Sequence, residues 1–151
     1  MSTDIRRVWV GGIQIYYSVV SDRIIYADKN RKWGYLDTNG HIAIEAQYDE
    51  VFPFNDNVAL VRKTKKDDKL YIIETNGKEK GAVDLGRYDV YTSIIPPFFS
   101  EDKLAVTAKA NDDRLLYLGK DGKVLLELPP KYNGCHHAAG ANFHEGYAVV
   151  E

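Results

Sequence analysis

The sequence predicts an all-β fold, in which tandem antiparallel β-hairpin repeats form a short twisted stack or a partly closed barrel-like assembly. Two observations lead to this prediction. The segment KWGYLDTNG, residues 32–40, ends in Asn39-Gly40, and related segments end at Gly77 and Gly122. The aromatic residues, 12% of the chain, occur in short runs separated by Asn, Asp, Gly and Lys. Short runs of this kind are typical of strands, and a recurring unit is typical of repeat proteins.

Length, charge and cysteine content limit the class of protein. A chain of 151 residues is enough for one domain with a core of its own. Its net charge of −2 predicts no nucleic-acid partner, because such proteins usually carry a basic face. The single Cys135 excludes an intrachain disulfide, and MSTDIRRVWVGG has no apolar run of signal-peptide or membrane-span length. We therefore expect a cytoplasmic protein with no membrane association and no cofactor.

The first segment reads as a hairpin that departs from the repeat frame. Gly11-Gly12 divides two apolar runs, which predicts strands at 6–10 and 13–20. Terminal units of repeat arrays are commonly atypical, so we interpret residues 1–22 as an N-terminal cap or a decayed repeat. The chain as a whole, 1–151, is interpreted as a single repeat domain with units at 23–63, 64–109 and 110–151.

Each unit is expected to open with two strands joined by a charged turn. The paired runs are 23–27 with the strand at Trp33, 58–62 with 70–73, and 104–109 with 115–118. After the second strand, Asn39-Gly40 is expected to supply the two positive φ angles of a type I′ turn. Residues 147–151 match only the first strand of such a pair, so the sequence leaves their pairing open.

Two aromatic landmarks follow each predicted hairpin. A Tyr-Asp-like element begins at Tyr48, Tyr88 or Tyr132, and the stretches FNDNVALV, FSEDKLAV and FHEGYAVV come next. A lone unit of about three short strands cannot bury its own apolar face. Neighbouring units must therefore supply the core of one another.

One unit resembles a known repeat. KWGYLDTNG, followed by AQYDEVFPFNDNVALVRK, is similar to the WG (or KWG) repeat of many bacterial proteins, with three landmarks in the same order over residues 32–63. The later units have Leu70-Tyr71 and Leu115-Leu116 where the repeat has Trp-Gly. The resemblance implies an all-β repeat structure and a binding role without catalysis, and it supplies no catalytic residues.

Aromatic and apolar side chains are the candidate binding residues. Trp33 and Tyr35 are two residues apart and share a strand face, where they either pack between units, the interpretation we favour, or form an exposed shelf. The stretch YDVYTSIIPPFFS is too apolar for a solvated loop and is either buried or docks a partner. The predicted binding residues are Trp33, Tyr35, Tyr48, Phe54, Ile95, Phe98 and Phe99.

The residue types that suit metal or acid–base chemistry give a weaker signal. Cys135, His137 and His144 are weak candidates for metal ligands, but their spacing fits no known zinc pattern, and we predict no metal. Acidic pairs such as Asp67-Asp68 lie at predicted turns. Carboxylates there usually accept hydrogen bonds from local backbone groups, so we expect a structural role for them.

These observations favour a non-enzymatic protein that binds another protein through its variable loops and aromatic landmarks. A toxin immunity or antagonist protein is the specific hypothesis. The alternative is carbohydrate or cell-wall binding on an exposed aromatic shelf, because KWGYLDTNG is also similar to the hairpin of choline-binding repeats. Those repeats need further tryptophans, which this chain lacks. A hydrolase is the third possibility, and the sequence leaves the oligomeric state open.

Overall fold

The computed structural model describes residues 5–10, 13–18, 22–90, 97, 99–109 and 114–128, the first two segments by their backbone alone. Within these ranges the chain forms strands and no helix, which confirms the predicted all-β class. The strands are β1 Ile5–Val10, β2 Ile13–Ser18, β3 Ile24–Ala27, β4 Trp33–Leu36, β5 Ile42–Tyr48, β6 Glu50–Val51, β7 Val58–Arg62, β8 Lys69–Glu74, β9 Glu79–Asp84, β10 Tyr88–Asp89, β11 Leu104–Ala108, β12 Leu115–Leu118 and β13 Val124–Glu127.

The strands form three antiparallel sheets in chain order. The first sheet contains β1 to β5, the second β6 to β9 and the third β10 to β13. Inside each sheet every strand pairs with the next one along the chain, so each sheet is a meander of hairpins. The described strands close no barrel, since each sheet keeps two edge strands. This arrangement agrees with the predicted stack of hairpin repeats.

The hairpin that ends each WG-like segment differs from the predicted type I′ turn. Gly40 has a φ of 84°, but Asn39 is not among the residues with positive φ, so that prediction is wrong. The N–H of Gly40 donates to the carbonyl of Asp37 at 3.1 Å, and Asp37 N–H donates to His41 O at 2.8 Å. This is a three-residue loop with one left-handed glycine and a bulge. The Asp37 carboxylate accepts the N–H groups of Asn39 and His41, which stabilises the loop.

The same turn recurs in all three sheets. Gly77 and Gly122 have φ angles of 87° and 81°. In every case the strand register shifts two or three residues before the loop, between Tyr35 and Leu36, Ile72 and Ile73, or Tyr117 and Leu118. The repeat in sequence therefore corresponds to a repeated bulged hairpin.

Two-residue turns with paired positive φ angles occur elsewhere, before β7 and before β11. Asp56 and Asn57 have φ angles of 50° and 66°, and Glu101 and Asp102 have 48° and 62°. Asp and Asn tolerate the left-handed region of backbone conformation better than Glu does. The two turns are joined, because the N–H of Asp102 donates to the Asp56 carboxylate at 3.0 Å.

The core consists of clusters between neighbouring sheets. One cluster joins the first and second sheets, and a larger one joins the second and third. The second sheet contributes to both, so β7 is buried at four successive positions, Val58 to Val61. Such continuous burial is typical of a strand that is covered on both faces. A third cluster lies on the outer face of the third sheet, at Ala105, Leu115 and Tyr117.

The sheets and the sequence units have different boundaries. The first sheet ends at Tyr48, and β6 opens the second sheet two residues later. The first sheet thus ends inside the unit at 23–63, and the remainder of that unit begins the second sheet. In the part of the chain that the structure describes, no helix has the length and apolar character needed to cross a membrane.

Candidate functional site

Tyr35 lies at the centre of the cluster between the first and second sheets. It is fully buried, and its hydroxyl donates to the carbonyl of Phe52 at 2.6 Å. Its ring contacts Phe54 edge-on, with the ring centroids 4.7 Å apart and the planes at 72°. Burial raises the pKa of Tyr35 well above its ordinary value. The side chain is therefore a neutral core residue that ties β4 to the segment before β7.

The other predicted aromatic residues divide between the two clusters. Tyr48 and Phe54 are buried between the first and second sheets, and Phe99 between the second and third. Burial, and then the negative charge of Glu79, raise the pKa of Tyr48. Trp33 is partly buried at the start of β4. Tyr35, Tyr48 and Phe54 therefore form no exposed shelf, and the binding roles predicted for the aromatic set stay predictions.

Several predicted site residues lie outside the described residues. These are Ile95 and Phe98 in the apolar loop and the weak metal candidates Cys135, His137 and His144. Within the described ranges, no three His, Cys, Asp or Glu side chains are grouped so that they could hold a metal ion. The carboxylate of Asp67 accepts the N–H of Thr64 at 3.1 Å, the local role expected for an acidic turn residue.

A small polar cleft lies between the first and second sheets beside Phe54. Its volume is about 130 Å³, and Asp22, Arg23, Asn55, Asp56, Asn57 and Thr75 complete its lining. Arg23 Nε donates to the carbonyl of Thr75 at 3.1 Å, so the cleft is bridged by a hydrogen bond. It is smaller than the roughly 300 Å³ at which small-molecule sites usually begin.

A larger open groove lies on the third sheet, beside the turn that precedes β10. Its volume is about 590 Å³. The lining comes from the turn before β10, from strands β10 to β13, from Lys109 directly after β11 and from Arg114 directly before β12. The lining residues are Gly86, Arg87, Tyr88, Ala108, Lys109, Arg114, Leu116, Val124 and Glu127. Three basic side chains and one carboxylate, that of Glu127, thus line the groove together with apolar residues.

Backbone hydrogen bonds and ion pairs position the three basic residues of the groove. The N–H of Lys109 donates to the carbonyl of Arg87 at 2.8 Å, and Lys109 Nζ donates to Leu85 O at 2.6 Å. Arg87 Nε lies 3.7 Å from the Asp84 carboxylate, and the Arg87 side chain is 78% exposed. Arg114 forms an ion pair with Glu127 across the β12–β13 pair. Arg87 and Lys109 are thus the exposed cations of the groove, whereas the charge of Arg114 is balanced by Glu127.

The last strand of the third sheet, β13, is the most exposed apolar strand of the described chain. Val124, Leu125 and Leu126 are 45%, 58% and 40% exposed. Among the other residues whose side chains the structure describes, Ile42 is a large apolar residue that is exposed, at 52%. Val124 and Glu127 line the groove, whereas Leu126 pairs with Tyr117, a residue of the outer cluster. The strand thus contributes to the groove and to the outer face of the sheet.

The hairpin on which this architecture is built matches a known family. The family model of the WG containing repeat matches residues 33–66. This segment is therefore similar to a WG repeat. The matched residues extend from β4 through β7 into the following turn, so the WG repeat crosses from the first sheet into the second. The family resemblance predicted from the sequence is confirmed.

Comparison with solved structures found a chain in the crystal structure of a mitotic checkpoint complex. The TM-score is 0.45 and the sequence identity 11%, over 92% of this chain and 53% of that chain. This chain therefore spans about half the length of the solved chain. Among curated proteins, no sequence matches.

Sequence reasoning missed the groove and the exposure of β13. Arg87, Lys109 and Arg114 form no motif in the sequence, because they come from a turn and from the ends of two strands. One signal for β13 was present: the run Val124-Leu125-Leu126 stands where the second unit has Glu79-Lys80-Gly81. A third strand that is apolar on both faces is unusual for a solvated edge.

Proposed function

We propose that this chain, with its WG-like repeat, is a non-enzymatic binding protein whose groove on the third sheet receives a segment of another protein. The observation that supports this proposal best is the convergence of Arg87, Lys109 and Arg114 on one open groove. Guanidinium and ammonium groups bind carboxylates through charge-assisted hydrogen bonds. The partner segment is accordingly expected to be acidic.

The floor of the groove favours apolar residues in the same segment. Tyr88, Leu116 and Val124 line it, and Leu116 is itself 6% exposed. Anchors in protein interfaces are commonly aromatic or aliphatic side chains that enter such pockets, surrounded by a polar rim. An acidic segment with one or two large apolar residues fits this combination. Within this proposal, the narrower hypothesis is that the partner is a toxin and that the chain is the immunity or antagonist protein that neutralises it.

Charge reversal in the groove tests the proposal. The purified chain is used as bait in extract from its native host, together with the double variant Arg87→Glu/Lys109→Glu. Both side chains are exposed, and the backbone hydrogen bond between these residues does not depend on them. Wild type is expected to recover one stoichiometric protein, and the groove variant at least about tenfold less of it, because like charges then face the acidic segment.

A matched control separates the groove from net charge. Lys29→Glu/Lys66→Glu changes the total charge equally at two exposed positions that do not line the groove. This variant is expected to recover the same protein in wild-type amounts. Equal recovery by the groove variant and the wild type would contradict the proposed site, and recovery of no stoichiometric partner by wild type would contradict the proposed function.

A further inference from the structure

Within the chain, the hairpin turn of one sheet docks on the last strand of the sheet before it. A Cβ at Gly77, in the turn of the second sheet, would lie 3.5 Å from Ile44 Cγ2 in β5. A Cβ at Gly122, in the turn of the third sheet, would lie 2.2 Å from the carbonyl of Ala82 in β9. Across the same contact, a Cβ at Gly81 would lie 2.3 Å from Asp121 O. The two junctions thus use equivalent parts of the hairpin.

At each end of the described sheets one part of this contact is exposed, the first turn or residues of β13, whereas Ala105, Leu115 and Tyr117 beside β13 are buried. The first turn, around Gly40, is exposed, and a Cβ at Gly40 would have no heavy atom within 4 Å. On the third sheet, Leu126 occupies the position equivalent to Ile44 and Gly81, since each stands four residues after its turn glycine. Ile44 is 5% exposed, whereas Leu126 is 40% exposed.

We propose that a second copy of this chain docks there head to tail, with its first turn, residues 37–41, against Leu125 and Leu126 of β13. The contact continues an interface that the chain already forms twice. It uses different surfaces on the two copies, so it is heterologous and extends into a row or closes into a ring. It goes beyond the proposed function and uses the opposite face of β13 from the groove.

The mass of the chain in solution tests this contact. Sedimentation velocity is measured on the full chain, whose monomer is 17.1 kDa, up to about millimolar concentration, where weak contacts are populated. Wild type is expected to exceed the mass of a dimer as concentration rises. Leu126→Asp and Gly40→Asn should each weaken association at least about tenfold. The first places a charge on the apolar surface of β13, and the second adds a side chain to the close-fitting turn. Asparagine tolerates the left-handed backbone of Gly40.

Mixing the two variants distinguishes a heterologous contact from any other. Leu126→Asp keeps an intact first turn, and Gly40→Asn keeps an intact β13, so the mixture should form a dimer of one copy of each and nothing larger. Lys69→Asp, at an exposed position of β8, is the control and should associate like wild type. Thermal melts followed by circular dichroism confirm folding, and His41→Glu replaces Gly40→Asn if the latter unfolds.

Three outcomes would overturn the proposal. The first is a wild-type chain that remains a monomer over the whole concentration range. The second is association that survives in one variant alone, which indicates two-fold pairing of β13 or of the turn with itself. The third is a mixture of the two variants that stays monomeric.

Discussion

Gly34, the glycine of the Trp-Gly pair, lies where two strand backbones approach closely. A Cβ at this position would be 2.4 Å from Ile44 O and 2.7 Å from Ala46 N. The register of β4 and β5 shifts here between Trp33 and Tyr35, in addition to the shift next to the turn. Across the neighbouring pair, Tyr26 lies opposite Gly34, and its hydroxyl accepts the N–H of Ala46 at 2.9 Å. The absence of a side chain at Gly34 thus permits the bulge, and the Tyr26 hydroxyl accepts the backbone N–H of Ala46 beside it.

This local geometry explains why the later units need no Trp-Gly pair. Tyr71 and Leu116 occupy the position of Gly34, and their hairpins shift register only next to the turn. Because these hairpins lack the second bulge, the backbone of the next strand does not press against the Cβ of Tyr71 or Leu116. The departure from the repeat pattern in these units therefore leaves the hairpin intact.

Gly34→Ala is expected to lower the free energy of unfolding by about 3 kcal/mol, because the methyl group overlaps backbone atoms that cannot move independently. Gly40→Ala is the matched control, since its Cβ enters open space and only the positive φ is unfavourable, at about 1 kcal/mol. Urea unfolding monitored by tryptophan fluorescence measures both. Equal losses in the two variants would contradict the role of close backbone approach at Gly34.

At the scale of elements, Asp49 connects the first two sheets. Its carboxylate forms an ion pair with Lys32, just before β4, and accepts the N–H of Lys65, in the loop after β7, at 2.9 Å. Its own N–H donates to Arg62 O at 3.0 Å. The hydrogen bond from Lys32, followed by that from Lys65, lowers the pKa of Asp49 below its ordinary value of 3.8. The ionised form therefore stabilises the folded chain.

Asp49 is accordingly expected to contribute to acid unfolding. Because the pKa of Asp49 is lower in the folded state, its contribution to stability is present above the unfolded pKa and is lost as pH falls through the folded pKa. Asp49→Asn should flatten the dependence of the urea midpoint on pH below about pH 4. Lys32→Ala should partly flatten this pH dependence. Lys29→Ala, a control at an exposed position, should leave the pH dependence unchanged. An unchanged pH profile for Asp49→Asn would contradict this assignment.

For the whole molecule, the second sheet is the element on which both neighbours depend. Ile73 contributes to the cluster with the first sheet and Ile72 to the cluster with the third, and both are fully buried. Adjacent residues of one strand, β8, thus face two cores. Coupling of each sheet only to its neighbours is typical of repeat proteins, in which a central unit transmits stability in both directions.

Truncation on either face of β8 is therefore expected to destabilise one common transition. Ile72→Ala and Ile73→Ala should each cost about 3 kcal/mol, since each leaves a cavity in a packed core. Ile42→Ala makes the same chemical change at a position that is 52% exposed and should cost under about 1 kcal/mol. Chemical unfolding followed by far- and near-ultraviolet circular dichroism should give coincident curves, whereas separate transitions for the two core variants would contradict a shared central sheet.

The sequence by itself determined the all-β class, the recurring hairpins and the WG repeat, because alternation, turn residues and repeat spacing act over a few neighbouring residues. Strands such as β7 Val58–Arg62 and β12 Leu115–Leu118 lie where the sequence predicts them. The turn at Gly40 was placed correctly, but its type was not, since the bulge depends on how the Asp37 carboxylate bonds the loop. Backbone detail of that kind is not encoded in residue types alone.

Only the tertiary structure decided which side chains are buried and which surfaces remain open. The sequence pattern around Tyr35 and Tyr48 is equally compatible with an exposed aromatic shelf. These two residues are buried because the second sheet packs on the first. Arg87 and Lys109 become neighbours because β10 pairs with β11, although the two residues belong to no common motif in the sequence. Contacts between sheets depend on register and packing over long sequence separations, and these are the contacts that form the groove and the exposed face of β13.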